Sequence, residues 1–213
     1  LPDTEDLALA GGGALIVYGI VDRETRDLDL FSNSPEEVDR LLPSVEQALR
    51  EDSLVVERLR TAAGFAQLSV TSASETTTID LAWDPRLLPP TVTPEGPVLA
   101  EEEVAAGKVL ALFGRAEARD FVDVLALESR YGLEHLCQLA TEKDPGFDRT
   151  ILAEMMNRID RLPRKEFGIE DAEYERLKGR VEMLRDELLG FDRDPPGRSP
   201  KPSPRREPPS LGL

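Results

Sequence analysis

The hydrophobic pattern of the chain turns wholly helical after a proline-dense stretch from Pro85 to Pro97, which reads as a linker. Before it, apolar and polar residues alternate over short runs: Arg26–Phe31 sets Asp27 and Asp29 against Leu28 and Leu30. Alternation of that kind belongs to half-buried strands. A short strand is expected at Leu7–Ala10, running into the glycines, and three more at Leu54–Arg60, Phe65–Thr71 and Thr76–Trp83, where β-branched residues recur and Gly and Ser punctuate them. Ala14–Ile20 reads as a helix, and a second starts at Ser34-Pro35-Glu36-Glu37 and runs to about Glu51. Its start combines a capping hydroxyl, a proline at the first helical position and acids in the first turn.

After the prolines the pattern becomes helical. Leu99–Phe113, Ala118–Arg130, Leu133–Glu142, Asp148–Ile159 and Glu170–Leu189 are the expected helices, and Leu177, Val181, Leu184 and Leu188 form one stripe of the last. From Asp192 onward Pro, Arg, Ser and Gly dominate, a composition that buries too little to offset its ordering entropy. The expected organisation is an α+β fold in three parts. An α/β core covers 1–97, a helical half 98–191, and a disordered tail 192–213. A cleft between the first two is a natural ligand site.

Charge and rare residues exclude several functions. With 26 Lys and Arg against 42 Asp and Glu, the net charge is −16, which argues against a general nucleic-acid coat. It still permits an enzyme that meets phosphate with a small basic patch or metal ions. One cysteine, Cys137, and one histidine, His135, cannot build a disulfide or a His-rich zinc site. Both are expected as partly buried helix residues. No apolar run reaches the length of a membrane span and no signal peptide is evident, so the expected location is cytoplasmic.

Three features carry chemistry. Gly11-Gly12-Gly13 follows a strand and precedes a helix; glycines there make a tight turn or let the backbone approach a phosphate. Asp27 and Asp29 share a strand face one repeat apart. Their repulsion is relieved by a cation, and Mg²⁺ suits one or two carboxylates plus substrate phosphates. Finally Lys108, Arg115 and Arg119 place positive charge near Asp120 and Asp123, which lie three apart on a helix. They suit a triphosphate or, equally, a solvated face with local ion pairs.

Taken in order, Gly12-Gly13-x-Ala-Leu, Arg23-x-Thr25-x-Asp27-x-Asp29-Leu-Phe31 and Lys108-x-x-Ala-Leu-x-x-Arg115-x-x-x-Arg119-Asp120-x-x-Asp123 resemble the AbiEii/AbiGii toxin family. The resemblance spans roughly Leu7 to Arg130. It implies a polymerase-β-like nucleotidyltransferase core with a mixed sheet. It also implies a toxin of a type IV-like toxin–antitoxin pair that transfers nucleotides from an NTP to tRNA. Mg²⁺ or Mn²⁺ is the implied cofactor, and a cognate antitoxin is an implied partner. Residue by residue, Asp27 and Asp29 match the metal-binding acids, Gly12 and Gly13 the phosphate-side turn, Lys108 the triphosphate lysine and Asp123 the acid of the last motif. Asp120 is the alternative for that role. Arg115 joins the nucleotide-binding set, and Asp80, on a face with Thr78, is the candidate third metal-binding acid. Where many nucleotidyltransferases carry Ser, this chain has Gly13. Two other readings stay open from the residues: a nucleotide-binding module that transfers nothing, and a small-molecule nucleotidyltransferase of the antibiotic-resistance type.

Overall fold

The computed structural model describes residues 7–25 and 27–190. A seven-stranded mixed sheet carries helices on both faces. Its strands are β1 (Ala8–Ala10), β2 (Asp27–Ser32), β3 (Val55–Ala62), β4 (Phe65–Thr71), β5 (Thr76–Trp83), β6 (Thr91–Thr93) and β7 (Gly96–Val98), in the order β3-β4-β5-β2-β1-β7-β6. β2 pairs parallel with β5 and β1 parallel with β7, while the remaining neighbours are antiparallel. The helices are α1 (Gly11–Val17), α2 (Pro35–Glu51), α3 (Glu101–Gly114), α4 (Ala118–Tyr131), α5 (Leu133–Lys143), α6 (Arg149–Met156) and α7 (Asp171–Leu188). This is the expected α+β class, with a mixed sheet followed by a helical half.

The two faces of the sheet belong to different cores. On one, α2 buries Val38, Leu41, Leu42 and Val45 against Ala66, Leu68, Val70, Ile79 and Leu81. The α2 start forms as its residues dictate: Ser34 accepts from the Glu37 N–H at 3.2 Å and Pro35 takes the first position. On the other face, Ala8, Ala10, Ala14, Leu15 and Val98 join one apolar cluster with Val104, Val109, Phe121, Leu127 and Leu184 of the later helices. That second core places α3 and α4 over the end of β2.

Several local expectations change. The Pro85–Pro97 stretch is not a bare linker. It holds β6 and β7, and β7 completes the sheet beside β1 through the Leu9–Val98 register. Helix α1 begins at Gly11 rather than Ala14, so the glycines form its first turn. The helix expected over Asp148–Ile159 stops at Met156 and tightens into a 3₁₀ turn over Asn157–Arg161. Cys137 is fully buried, which pushes its thiol up to about 11, whereas His135 is exposed rather than partly buried. The tail expected to be disordered, 192–213, lies outside the described residues. Among the described residues no helix is long and apolar enough to cross a membrane.

Candidate active site

β2 and β5 run side by side in parallel, with Asp29 opposite Asp80 and Asp27 opposite Thr78. Registered neighbours point to the same face, so Asp27, Asp29 and Asp80 share the face turned away from Ile79 and Leu81. β1 lies on the other side of β2, with Ala10 opposite Asp29. The next residue, Gly11, therefore sits directly against the Asp29 carboxylate. A Cβ there would lie 1.7 Å from Asp29 Oδ2, and the residue's φ is +58°. Close approach and left-handed backbone both demand glycine.

The facing wall comes from α3 and the start of α4. A cavity of about 310 Å³ is enclosed between Asp27, Asp29 and Asp80 on one side and Lys108, Arg115 and Arg119 on the other. Gly12, Arg23 and Asp123 also line it. Asp123 is fully buried and held by two cations. Lys108 Nζ lies 2.8 Å from its Oδ2, and Arg23 Nη2 donates to both oxygens at 2.8 and 3.0 Å. Asp120 is engaged elsewhere, accepting from the Glu117 N–H as half of a capping box and from Arg115 through two 3.0 Å bonds. Among the described residues Arg119 makes no ion pair or hydrogen bond, although it is half-buried.

Electrostatics single out Asp29. Burial raises its pKa above the ordinary carboxylate range, and repulsion from Asp27 and then Asp80 adds to the rise. Lys108 and Arg115 pull it back. Among the described residues no group of three or more His, Cys, Asp or Glu side chains forms a ready-made metal cage. Asp80 is partly committed, since its Oδ1 accepts from Gln67 Nε2 at 2.9 Å. The donor set nevertheless fits Mg²⁺ or Mn²⁺. These hard ions bind through one or two carboxylates and complete their shell with water and substrate phosphate. The crowding at Asp29 is the repulsion such a cation relieves.

Of the residues singled out in the sequence, Asp27, Asp29, Asp80, Lys108, Arg115, Asp123 and Gly12 all line this one cavity. Gly13 does not; its missing side chain faces Leu9, whose Cδ1 would lie 3.0 Å from a Cβ. Arg23 and Thr25 belonged to the motif but had no role assigned to them. Arg23 grips Asp123 across a separation of 100 residues, and Thr25 Oγ1 donates to the Asp27 backbone at 2.9 Å. Both crowd over Gly12, where a Cβ would come within 3.1 Å of Arg23 Nη2 and 3.3 Å of Thr25 Oγ1. Sequence spacing carries no signal for a contact that distant.

The model of the nucleotidyl transferase AbiEii toxin of type IV toxin–antitoxin systems matches residues 1–198. The chain belongs to the AbiEii nucleotidyl transferase toxin family. Three solved structures share the fold of this AbiEii chain. MenT4, a nucleotidyltransferase toxin of Mycobacterium tuberculosis, is 20% identical with a TM-score of 0.56, over 89% of this chain and 80% of that one. JHP933 of Helicobacter pylori is 18% identical with a TM-score of 0.52, over 88% and 87%. A Helicobacter pylori protein classed as a nucleotidyltransferase is 18% identical with a TM-score of 0.53, over 90% and 91%. Among curated proteins nothing matches the sequence. The fold is thus that of a nucleotidyltransferase, and the AbiEii family is one of toxins of type IV toxin–antitoxin systems.

Proposed function

We propose that this AbiEii-family chain transfers a nucleotide from an NTP to an RNA acceptor, tRNA being the expected one, with Mg²⁺ or Mn²⁺ as cofactor. One observation carries the reading: acids on a strand pair face cations on two helices across a single small cavity. Phosphoryl transfer needs this division, since catalysis rests on positioning and charge stabilisation rather than on covalent chemistry by the protein. Asp27 and Asp29 would hold the metal, with Asp80 beside them. When bound, the ion neutralises triphosphate charge and polarises the reacting phosphorus. Lys108, Arg115 and the backbone at Gly12 meet the phosphates. Asp123, closed off from solvent, fixes Lys108 rather than touching substrate. The acceptor hydroxyl bonds to the α-phosphorus, the bond to the β-phosphate breaks, pyrophosphate leaves, and the hydroxyl proton is released to solvent. The family implies toxicity held in check by a cognate antitoxin.

The test is direct. Purified protein is incubated with total tRNA, Mg²⁺ and each labelled NTP in turn, and the parent and Lys108→Ala are induced in a bacterial host. Label in RNA is expected from the parent, with growth arrest that Lys108→Ala abolishes. Metal–nucleotide binding without labelled RNA or any growth effect would overturn the proposal.

A further inference from the structure

The wall that faces Asp27, Asp29 and Asp80 carries charges of both signs, and they do not cancel. Arg115 and Arg119 stand with Asp120 and Glu117, two of each sign. Arg115 is bound to Asp120 at 3.0 Å and lies 3.7 Å from Glu117. What remains is Asp123 with Lys108 and Arg23, one carboxylate against two cations. The surplus positive charge of this wall therefore belongs to that triad.

Arg23 and Lys108 share Asp123 unequally. Arg23 donates from Nε to Oδ1 at 3.3 Å, and from Nη2 to Oδ1 and Oδ2 at 2.8 and 3.0 Å. Lys108 meets Oδ2 alone, at 2.8 Å. An ammonium has three donors, so Lys108 keeps donors that Asp123 does not occupy. The Asp123 side chain has no exposure to solvent. Its charge must be met by the protein rather than by water. If Lys108 alone met it, the pair would be neutral and would attract a phosphate weakly. With the guanidinium also in place, the ammonium keeps net charge to offer. Gly12 makes room for this: a Cβ there would come within 3.1 Å of Arg23 Nη2.

We propose that Arg23 is a positioning residue for the triphosphate, acting through Asp123: it absorbs the buried charge that would otherwise cancel Lys108. The inference rests on the transfer reading above for the ligand, an NTP. It adds that affinity for the triphosphate is set by the charge balance around Asp123. A purely mechanical tie between the segment leading into β2 and α4 would use the same bonds, so the test must separate charge from geometry.

The probe is inorganic tripolyphosphate with Mg²⁺, titrated into the full chain by calorimetry, so that no base contributes. The parent is compared with Arg23→Gln and with the double variant Arg23→Gln, Asp123→Asn. The single variant removes the surplus; the double removes one charge of each sign and restores it. Circular dichroism and a thermal midpoint above the assay temperature certify both as folded. Arg23→Gln should raise Kd at least about tenfold, and the double variant should return to within about threefold of the parent. A mechanical tie predicts the opposite order, with the double variant weaker than the single. That order overturns the proposal, as do equal Kd values for the parent and Arg23→Gln, or a parent that binds no tripolyphosphate. If Arg23→Gln does not fold, the double variant decides alone. It carries the wall charge of the parent, and a Kd about tenfold higher refutes the charge account. Tripolyphosphate binding that follows the charge, without labelled RNA, supports the role of Arg23 and removes only the transfer reading. Labelled RNA with Kd values indifferent to Arg23 removes this inference and leaves transfer standing.

Discussion

Asp29 carries opposite demands of stability and chemistry. Its pKa is raised in the fold by burial and by the neighbouring Asp27 and Asp80, so its ionised form weighs against the native state at neutral pH. A carboxyl raised on folding adds stability below its unfolded pKa and loses it as pH rises through the folded one. Asp29→Asn should therefore raise the metal-free thermal midpoint at neutral pH. The gain should fade in acid, below the ordinary carboxylate range. The same substitution should lower transfer by at least about 100-fold. Melting curves across pH, set beside an RNA-labelling assay, check both signs; a variant that is less stable at neutral pH refutes the electrostatic account. Gly11→Ala meets the same carboxylate sterically, at 1.7 Å. Activity should fall at least about 100-fold as Asp29 is displaced, with about 1–2 kcal/mol lost to left-handed strain in urea unfolding. The Asp-x-Asp pair was legible in the sequence because strand alternation is local. The Gly11–Asp29 contact was not, since it depends on the pairing of β1 with β2.

At the level of elements, the start of α4 separates two acids that the sequence left interchangeable. Asp120 closes the helix by accepting from the Glu117 N–H and anchors Arg115, whereas Asp123, one turn later, holds Lys108 and Arg23. Asp120→Ala should cost about 1–2 kcal/mol through the lost cap, and Asp120→Asn, which keeps an acceptor, should recover most of it in urea unfolding. Asp123→Ala leaves two cations without their buried partner and should cost about 3–5 kcal/mol, together with transfer. Equal stability losses in the two alanine variants would contradict this division. Helical spacing placed both acids near one another but could not rank them, because rank depends on which partners arrive from α1's exit and from α3. The proline stretch failed as a linker for a related reason. β6 and β7 are three residues each, too short to alternate visibly, and exist because β1 offers an edge and Glu103 accepts the Leu87 and Leu88 N–H groups.

For the whole molecule, secondary structure suggests two halves and packing joins them. Ala8, Ala10, Ala14 and Leu15 have no core of their own; they are buried with Val104, Phe121, Leu127 and Leu184 from beyond the prolines. A second tie is ionic: Lys143 of α5, only 7% exposed, meets Glu103 at 2.7 Å and Asp84, just after β5, at 2.8 Å. Exposing a single leucine costs about 1.5–3 kcal/mol, against a net stability of about 5–15 kcal/mol for a typical domain. Severing this shared core therefore removes most of what holds β1 and α1 in place, and with them the wall of the site. The chain should unfold as one cooperative unit. Its single tryptophan, Trp83, lies in β5 and reports on the sheet, while far-ultraviolet circular dichroism is dominated by the helices. In a urea titration the two signals should give the same midpoint and the same slope. A helical signal that survives after Trp83 has fully changed, or the reverse, would show two independently folding halves. The acid and cation walls of the site would then meet only by docking.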